Sequence, residues 1–435
     1  MIIAMGKDAI EIGKKSTSIP TALAIKSKIF NFESSQKNAK FTNVFTPITY
    51  DEKTGYGFDY QTNSNATFNK LGLSIDKSTY FSVKIPEGNY KIKIAIGGAS
   101  KECNTTIKAE SRRVMVNQFL TKKGKSSVAE FNVNIRNSVI DSSNSIKLKD
   151  REKGDLNWDN KLTLEFSGTT TIQNIEIIAL DKITTVFLAG DSTVTDQDVE
   201  PWASWGQMIP QFFGTNVVIS NYACSGLTLS SFKSSNRLQK ISSQIKPGDY
   251  LFIEFGHNDE KIKGPENTAW KSYSDLLAEF VQLARDKGAF PVLVTPTQRR
   301  FFNTDGSLLE THGDFPEAMR TVAKKMNVPL IDITQKTTFM YEAWGDDESR
   351  KAFVQYPANT FPGQTKALED NTHFNTFGAN EIALAVLQGI RELNLPLKKD
   401  ILKQAPNYDP KHPNYISNWT LPMSTRFETT KPDGN

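Results

Sequence analysis

The sequence predicts an α/β fold, a doubly wound parallel sheet of five strands, preceded by an all-β sandwich of the jelly-roll type. Three observations carry this expectation. The chain has 435 residues, more than the ~250–300 at which a single hydrophobic core stops growing. Up to about residue 182 the apolar residues alternate with period two. Beyond Asp181, apolar runs of strand length alternate with stretches of helical period.

Residues 28–182 read as the sandwich. The run "YFSVKIPEGNYKIKIAIGG" holds two alternating segments joined by Pro86-Glu87-Gly88-Asn89, which predicts a hairpin. "AEFNVNIR", "SIKLK", "KLTLEFSG" and "TIQNIEIIAL" are further short alternating strands. Regular short strands separated by turn residues suit a sandwich. No stretch of convincing helical period precedes residue 182.

Residues 183–400 read as the α/β domain. Strands are expected over 185–189, 217–221, 250–255, 291–295 and 330–333. Helices are expected over 202–213, 237–245, 272–287, 315–326, 335–342 and 379–393. In the third of these, Leu276, Leu277, Phe280, Leu283 and Ala284 recur at three- and four-residue spacing and form one apolar stripe. Five alternations of strand and helix predict a parallel sheet with helices on both faces. Residues 1–27 are expected as a disordered leader. Residues 401–435, with five of the 19 prolines, are expected as an irregular tail, wrapped on the surface or mobile.

Composition narrows the function classes. A formal net charge of +4, spread along the chain, is too mild to argue for nucleic acid. No run of about 18 apolar residues is present to span a membrane. The two cysteines, Cys103 and Cys224, fall in different domains, so a disulfide is not expected, and the histidines and cysteines form no four-ligand zinc pattern. No P-loop or G-x-G-x-x-G follows a strand, and no serine sits in G-x-S-x-G. The first residues, "MIIAMGKDAIEIGKK", are charged too soon to read as a secretion signal, which leaves a cytoplasmic location open.

The chemistry is expected where strands end. In an open α/β sheet, ligands bind beyond the carboxyl ends of the strands. The first strand runs directly into Gly190-Asp191-Ser192, a glycine turn able to present a serine at that rim. The third strand ends at "GHND", which places Asn258 at the same edge. Near the C-terminus, "DNTHFN" spaces Asp370 and His373 three apart, on a turn or first helical turn where a carboxylate can reach an imidazole. Together these are the parts of serine acyl transfer: Ser192 as nucleophile, His373 as general base, Asp370 to orient the imidazole. Asn258 and the backbone N–H groups of Gly226 and Ser192 are the candidate oxyanion donors. Asp191 is expected to hold the serine turn. His257 and Trp205 are expected to be structural.

"GDST" at 190–193, the glycine at 226, "GHND" at 256–259 and "DNTH" at 370–373 resemble the four blocks of the SGNH (GDSL-type) hydrolases, in order. The finer pattern, "WASWGQMI", "TPTQRRFF" and "THGDFPEAM" included, resembles the rhamnogalacturonan acetylesterase branch. The N-terminal region resembles a galactose-binding-like domain. The resemblance implies a flavodoxin-like sheet and a serine esterase that works without cofactor or metal. It implies the same five residues in the same roles: Ser192, Asp370 and His373 as triad, Gly226 and Asn258 in the oxyanion hole. It further implies an acetylated polysaccharide as partner, a monomer, and an extracellular or periplasmic location. Arg299, Arg300, Trp202 and His312 lie near the rim and are candidate substrate contacts, the arginines because guanidinium pairs bidentately with the carboxylate of an acidic sugar. Two other readings stand beside this one: an esterase or lipase acting on other acyl esters, and a carbohydrate-binding protein with an unused catalytic scaffold.

Overall fold

In a computed structural model, residues 27–98 and 100–433 are described. The leader expected at 1–27 lies outside them except for Ser27, which already begins a strand, Ser27–Asn31.

Up to residue 179 the described chain forms strands and short 3₁₀ turns. Its organiser is one 19-residue strand, Lys161–Ala179. The first part of this strand pairs antiparallel with Thr79–Lys84 on one side and Cys103–Ala109 on the other. The second part pairs with Gly88–Gly97 and with Ser27–Asn31. Gly168 marks the change of partner, at φ +90, where a Cβ would stand 2.2 Å from the carbonyl oxygen of Asn104. The hairpin expected at Pro86–Asn89 is therefore corrected. Thr79–Lys84 and Gly88–Gly97 do not pair with each other, because each finds a longer partner in a different part of Lys161–Ala179. The alternation itself is real: Tyr90, Ile92, Ile94 and Ile96 are buried against Phe81, Phe131, Ile175 and Ile177. Each such side chain contributes about 1.5–3 kcal/mol by leaving water.

From Thr184 onward the chain builds a five-stranded parallel sheet. Its spatial order is Val217–Asn221, Thr184–Gly190, Tyr250–Glu254, Phe290–Val294, Leu330–Ile331. In chain order this is 2-1-3-4-5, so the order reverses between the first and third strands, the place where ligand crevices form in such sheets. The strands are buried on both faces. Two apolar clusters cover them, one including Trp205, Met208, Tyr341 and the helix Thr376–Glu392, the other Phe232, Leu277, Phe280 and Met319.

Several helices depart from expectation. The stretch 202–213 contains only Trp205–Met208 as α-helix, followed by a 3₁₀ turn at Ile209–Phe212 with Pro210 inside it. A helix at Leu229–Ser234, closed at its start by the Thr228 hydroxyl, had no apolar stripe to announce it. Just before the helix Phe315–Met326, Asp314 Oδ2 accepts from Trp270 Nε1 at 2.9 Å.

The β-rich region is bolted to the loop after the nucleophile. Arg112 donates to the carbonyls of Gln197, Val199 and Trp202 and pairs with Glu200. Arg113 and Arg136 meet Asp196 at 3.3 and 3.4 Å, and Arg237 of the hydrolase pairs with Glu152. These ions are buried. Removing one partner would leave an uncompensated charge, which typically costs several kcal/mol. The tail also packs. Glu200 N–H donates to Arg426 O and Glu428 N–H donates to Glu200 O, so the tail runs as an added extended segment beside the same loop.

Candidate active site

The nucleophile loop is a hydrogen-bonded turn. Asp191 Oδ1 accepts the Thr193 N–H and hydroxyl, each at 3.0 Å, and the Asp191 carbonyl accepts from Val194 and Thr195. The Ser192 carbonyl accepts from Ser204 Oγ at 2.6 Å and Gln197 Nε2 at 2.9 Å. The Ser192 side chain is thus carried by a backbone held on both sides.

Asp370 and His373 do not lie on a turn or helix, as expected, but in the strand Leu368–Phe374, antiparallel to Phe353–Tyr356. In a regular strand, residues three apart face opposite ways. Here the register breaks between Phe353 and Gln355, and 370–373 bulge out of the pairing. Asp370 Oδ1 gathers the N–H groups of Thr372 and His373 at 2.7 and 2.8 Å, curling the bulge around the carboxylate. The result is a continuous line: Asp370 Oδ2 is 2.8 Å from His373 Nδ1, and His373 Nε2 is 2.9 Å from Ser192 Oγ. Burial opposes the charge of Asp370, but the His373 hydrogen bond and the two N–H groups outweigh it and hold the carboxyl at about 2. The Trp202 ring stands edge-on to the imidazole, with centroids 5.7 Å apart.

The two oxyanion candidates are joined to each other. Gly226 has φ +77 in the turn Cys224–Leu227, a conformation that favours glycine. Asn258 Nδ2 donates to Leu227 O at 3.1 Å, and Asp259 Oδ1 accepts the Leu229 N–H at 3.0 Å. The loop after the third strand thereby clamps the loop after the second, one at each side of the switch point.

The four candidate substrate contacts each have internal partners. Trp202 is buried and donates Nε1 to Glu428 O of the tail at 3.1 Å. His312 is buried with Nδ1 2.8 Å from Glu260 and Nε2 2.8 Å from Thr297 O. Arg299 is spent on Glu260, Thr311 and the His257 carbonyl. Arg300 pairs with Asp346 and donates Nε to Asn371 Oδ1 at 2.9 Å. The sequence placed both arginines near the rim but could not show the acids that take them up. His257 is buried, edge-on to His312 at 4.6 Å, and burial drives its basicity well down.

Sequence reasoning missed Glu254, the last residue of the third strand. Its only signal was an acid inside the apolar run "LFIEF". It is buried; Oε1 is 2.8 Å from Thr193 Oγ1 and Oε2 accepts from Trp205 Nε1 at 2.7 Å. Burial first, then the charge of Asp191, pushes its carboxyl up to about 8. The Thr193 hydroxyl also faces Asp191 and has one hydrogen to give. A protonated Glu254 donating to Thr193, which donates to Asp191 Oδ1, gives each of the three groups a partner in one chain.

Residues 188–379 match the GDSL-like Lipase/Acylhydrolase family. The chain belongs to that family and is a serine esterase, a carboxylic ester hydrolase. Within it the relatives are specific. Rhamnogalacturonan acetylesterase RhgT of Bacillus subtilis (strain 168) is 44% identical over 221 residues, 50% of this chain and 94% of that protein. Probable rhamnogalacturonan acetylesterase YesY of the same organism is 35% identical over 222 residues, 50% of this chain and 98% of that protein. A crystal structure of YxiM from Bacillus subtilis covers 85% of this chain and 99% of its own, at 21% identity and a TM-score of 0.46.

Proposed function

We propose that the chain is a carbohydrate O-acetylesterase that removes acetyl groups from rhamnogalacturonan. The observation that carries this reading is the line Asp370–His373–Ser192, intact in a chain 44% identical to an enzyme named for that activity. Ser192 Oγ attacks the acetyl carbonyl while His373 Nε2 takes its proton. The N–H groups of Gly226 and Ser192 and the Asn258 amide receive the oxyanion. His373 returns the proton to the departing sugar oxygen, leaving acetyl on Ser192. Water, deprotonated by His373, then releases acetate. Asp370 stabilises the imidazolium in both halves. Within this reading the β-rich region is a galactose-binding-like sandwich, and the enzyme works outside the cytoplasm as a monomer on polymer.

Acetate release from acetylated rhamnogalacturonan, xylan and chitin oligosaccharides tests it. The expected order puts rhamnogalacturonan first. Faster release from xylan, or a preference for octanoyl over acetyl esters, would select the other-ester reading instead. No helix among the described residues is long and apolar enough to cross a membrane.

A further inference from the structure

The tail ends its described course on the catalytic centre. Phe427 packs on Phe361, Lys431 Nζ lies 3.3 Å from Asp370 Oδ2, and Asp433 reaches the oxyanion glycine. A Cβ built on Gly226 would meet Asp433 Cβ at 2.7 Å and Lys149 Nζ at 3.1 Å. The Asp433 carboxylate is held by two cations from the β-rich region: Lys149 Nζ at 3.0 Å and Arg151 Nη1 at 3.2 Å. Neither cation belongs to the block motifs of the hydrolase.

This pair is built in. Lys149 also donates to the Ser225 carbonyl at 2.7 Å, which ties it to the oxyanion loop. Between the two cations and just beyond them runs a 3₁₀ turn, Asp150–Gly154, anchored by Glu152. The Glu152 carboxylate accepts the Lys149 N–H at 3.0 Å and bonds the buried Arg237. The two cationic groups, 31% and 33% exposed, are therefore fixed beside the Ser225–Gly226 turn. The tail lies against Asp370 and the Gly226 turn, so a ligand seated between these two groups would displace it. A ligand that brings its own carboxylate exchanges one anion for another at Lys149 and Arg151. A neutral ligand would leave both cations without that anion.

We infer that Lys149 and Arg151 form a subsite for the carboxylate of an acidic sugar next to the ester being cleaved, and that Asp433 occupies it as an internal stand-in. This rests on the acetylesterase reading and extends it: specificity for a uronate comes from the β-rich region, not from the hydrolase alone.

The test uses the full chain, with 4-nitrophenyl acetate as reporter and unacetylated trigalacturonate as competitor. Acetylated polymer is not needed, so this result is independent of the substrate panel above. Asp433→Asn should lower the inhibition constant of trigalacturonate several-fold by vacating the subsite. Adding Arg151→Ala to that variant should raise it about ten-fold or more, and Arg151→Lys should recover most of the affinity. Lys149→Ala should act in the same direction. Circular dichroism checks that each variant is folded. Inhibition should weaken with added salt. Equal inhibition constants for Asp433→Asn with and without Arg151→Ala would overturn the subsite. So would inhibition by neutral xylotriose as strong as by trigalacturonate.

Discussion

At the residue scale the decisive quantities are two hydrogen bonds and one buried carboxyl. Ser192→Ala should abolish turnover of 4-nitrophenyl acetate, because no other group replaces the attacking oxygen. Asn258→Ala should lower kcat by roughly 10²–10³ if its amide meets the oxyanion, with wild-type kinetics counting against that role. Glu254 gives a stability prediction. Its carboxyl stands at about 8 in the folded protein against the ordinary 4.5. The folded state thus binds a proton that the unfolded state has released between those values. The contribution is complete below about 4.5 and is lost as pH rises through about 8. Glu254→Gln keeps a donor toward Thr193 and an acceptor toward Trp205. Its Tm should therefore fall less steeply than wild type between about pH 4.5 and about pH 8, the window those two values set. An equally steep decline in the variant would place the proton elsewhere. Asp370 has the opposite sign. Its folded value near 2 adds stability above the usual carboxylate range and loses it as pH falls toward 2.

At the scale of elements, the strand ends that lead into Ser192 and Asn258 were legible and the bulge was not. Apolar runs that end abruptly in Gly-Asp-Ser or Gly-His-Asn-Asp announce strand ends, and strand ends in such a sheet are where ligands bind. The spacing of Asp370 and His373 signalled that they meet, yet the backbone that brings them together is a strand with a register break, set by pairing with Phe353–Tyr356 far back in the chain. Nothing local encodes that partner. The same holds for the 19-residue strand that draws apart the hairpin expected at Pro86–Asn89. Gly168 should be sensitive for this reason. Gly168→Ala combines a positive φ with a 2.2 Å approach to a backbone oxygen, and should cost on the order of 1–3 kcal/mol in denaturant unfolding. A variant as stable as wild type would show that the strand does not bend there. Arg300 supports the bulge through Asn371. Arg300→Ala should lower kcat more than it raises KM, since it acts on the position of His373.

At the scale of the molecule, the β-rich region and the tail pack against the loops that carry Ser192, Gly226 and Asp370. Arg112, Arg113 and Arg136 fix the loop that follows Ser192, Lys149 stands beside Gly226, and Arg151 joins it on Asp433. Composition alone could not reveal this. Mild net charge hides buried arginines, and a proline-rich tail reads as surface until its partners are known. Only the convergence of four distant loops makes an esterase, and one measurement tests that convergence most directly. Treatment with a serine-reactive fluorophosphonate, followed by peptide mapping, should place a single phosphonyl group on Ser192. The label should vanish in Ser192→Ala and form far more slowly in His373→Ala. Labelling of a different serine, or equally fast labelling without His373, would contradict the account.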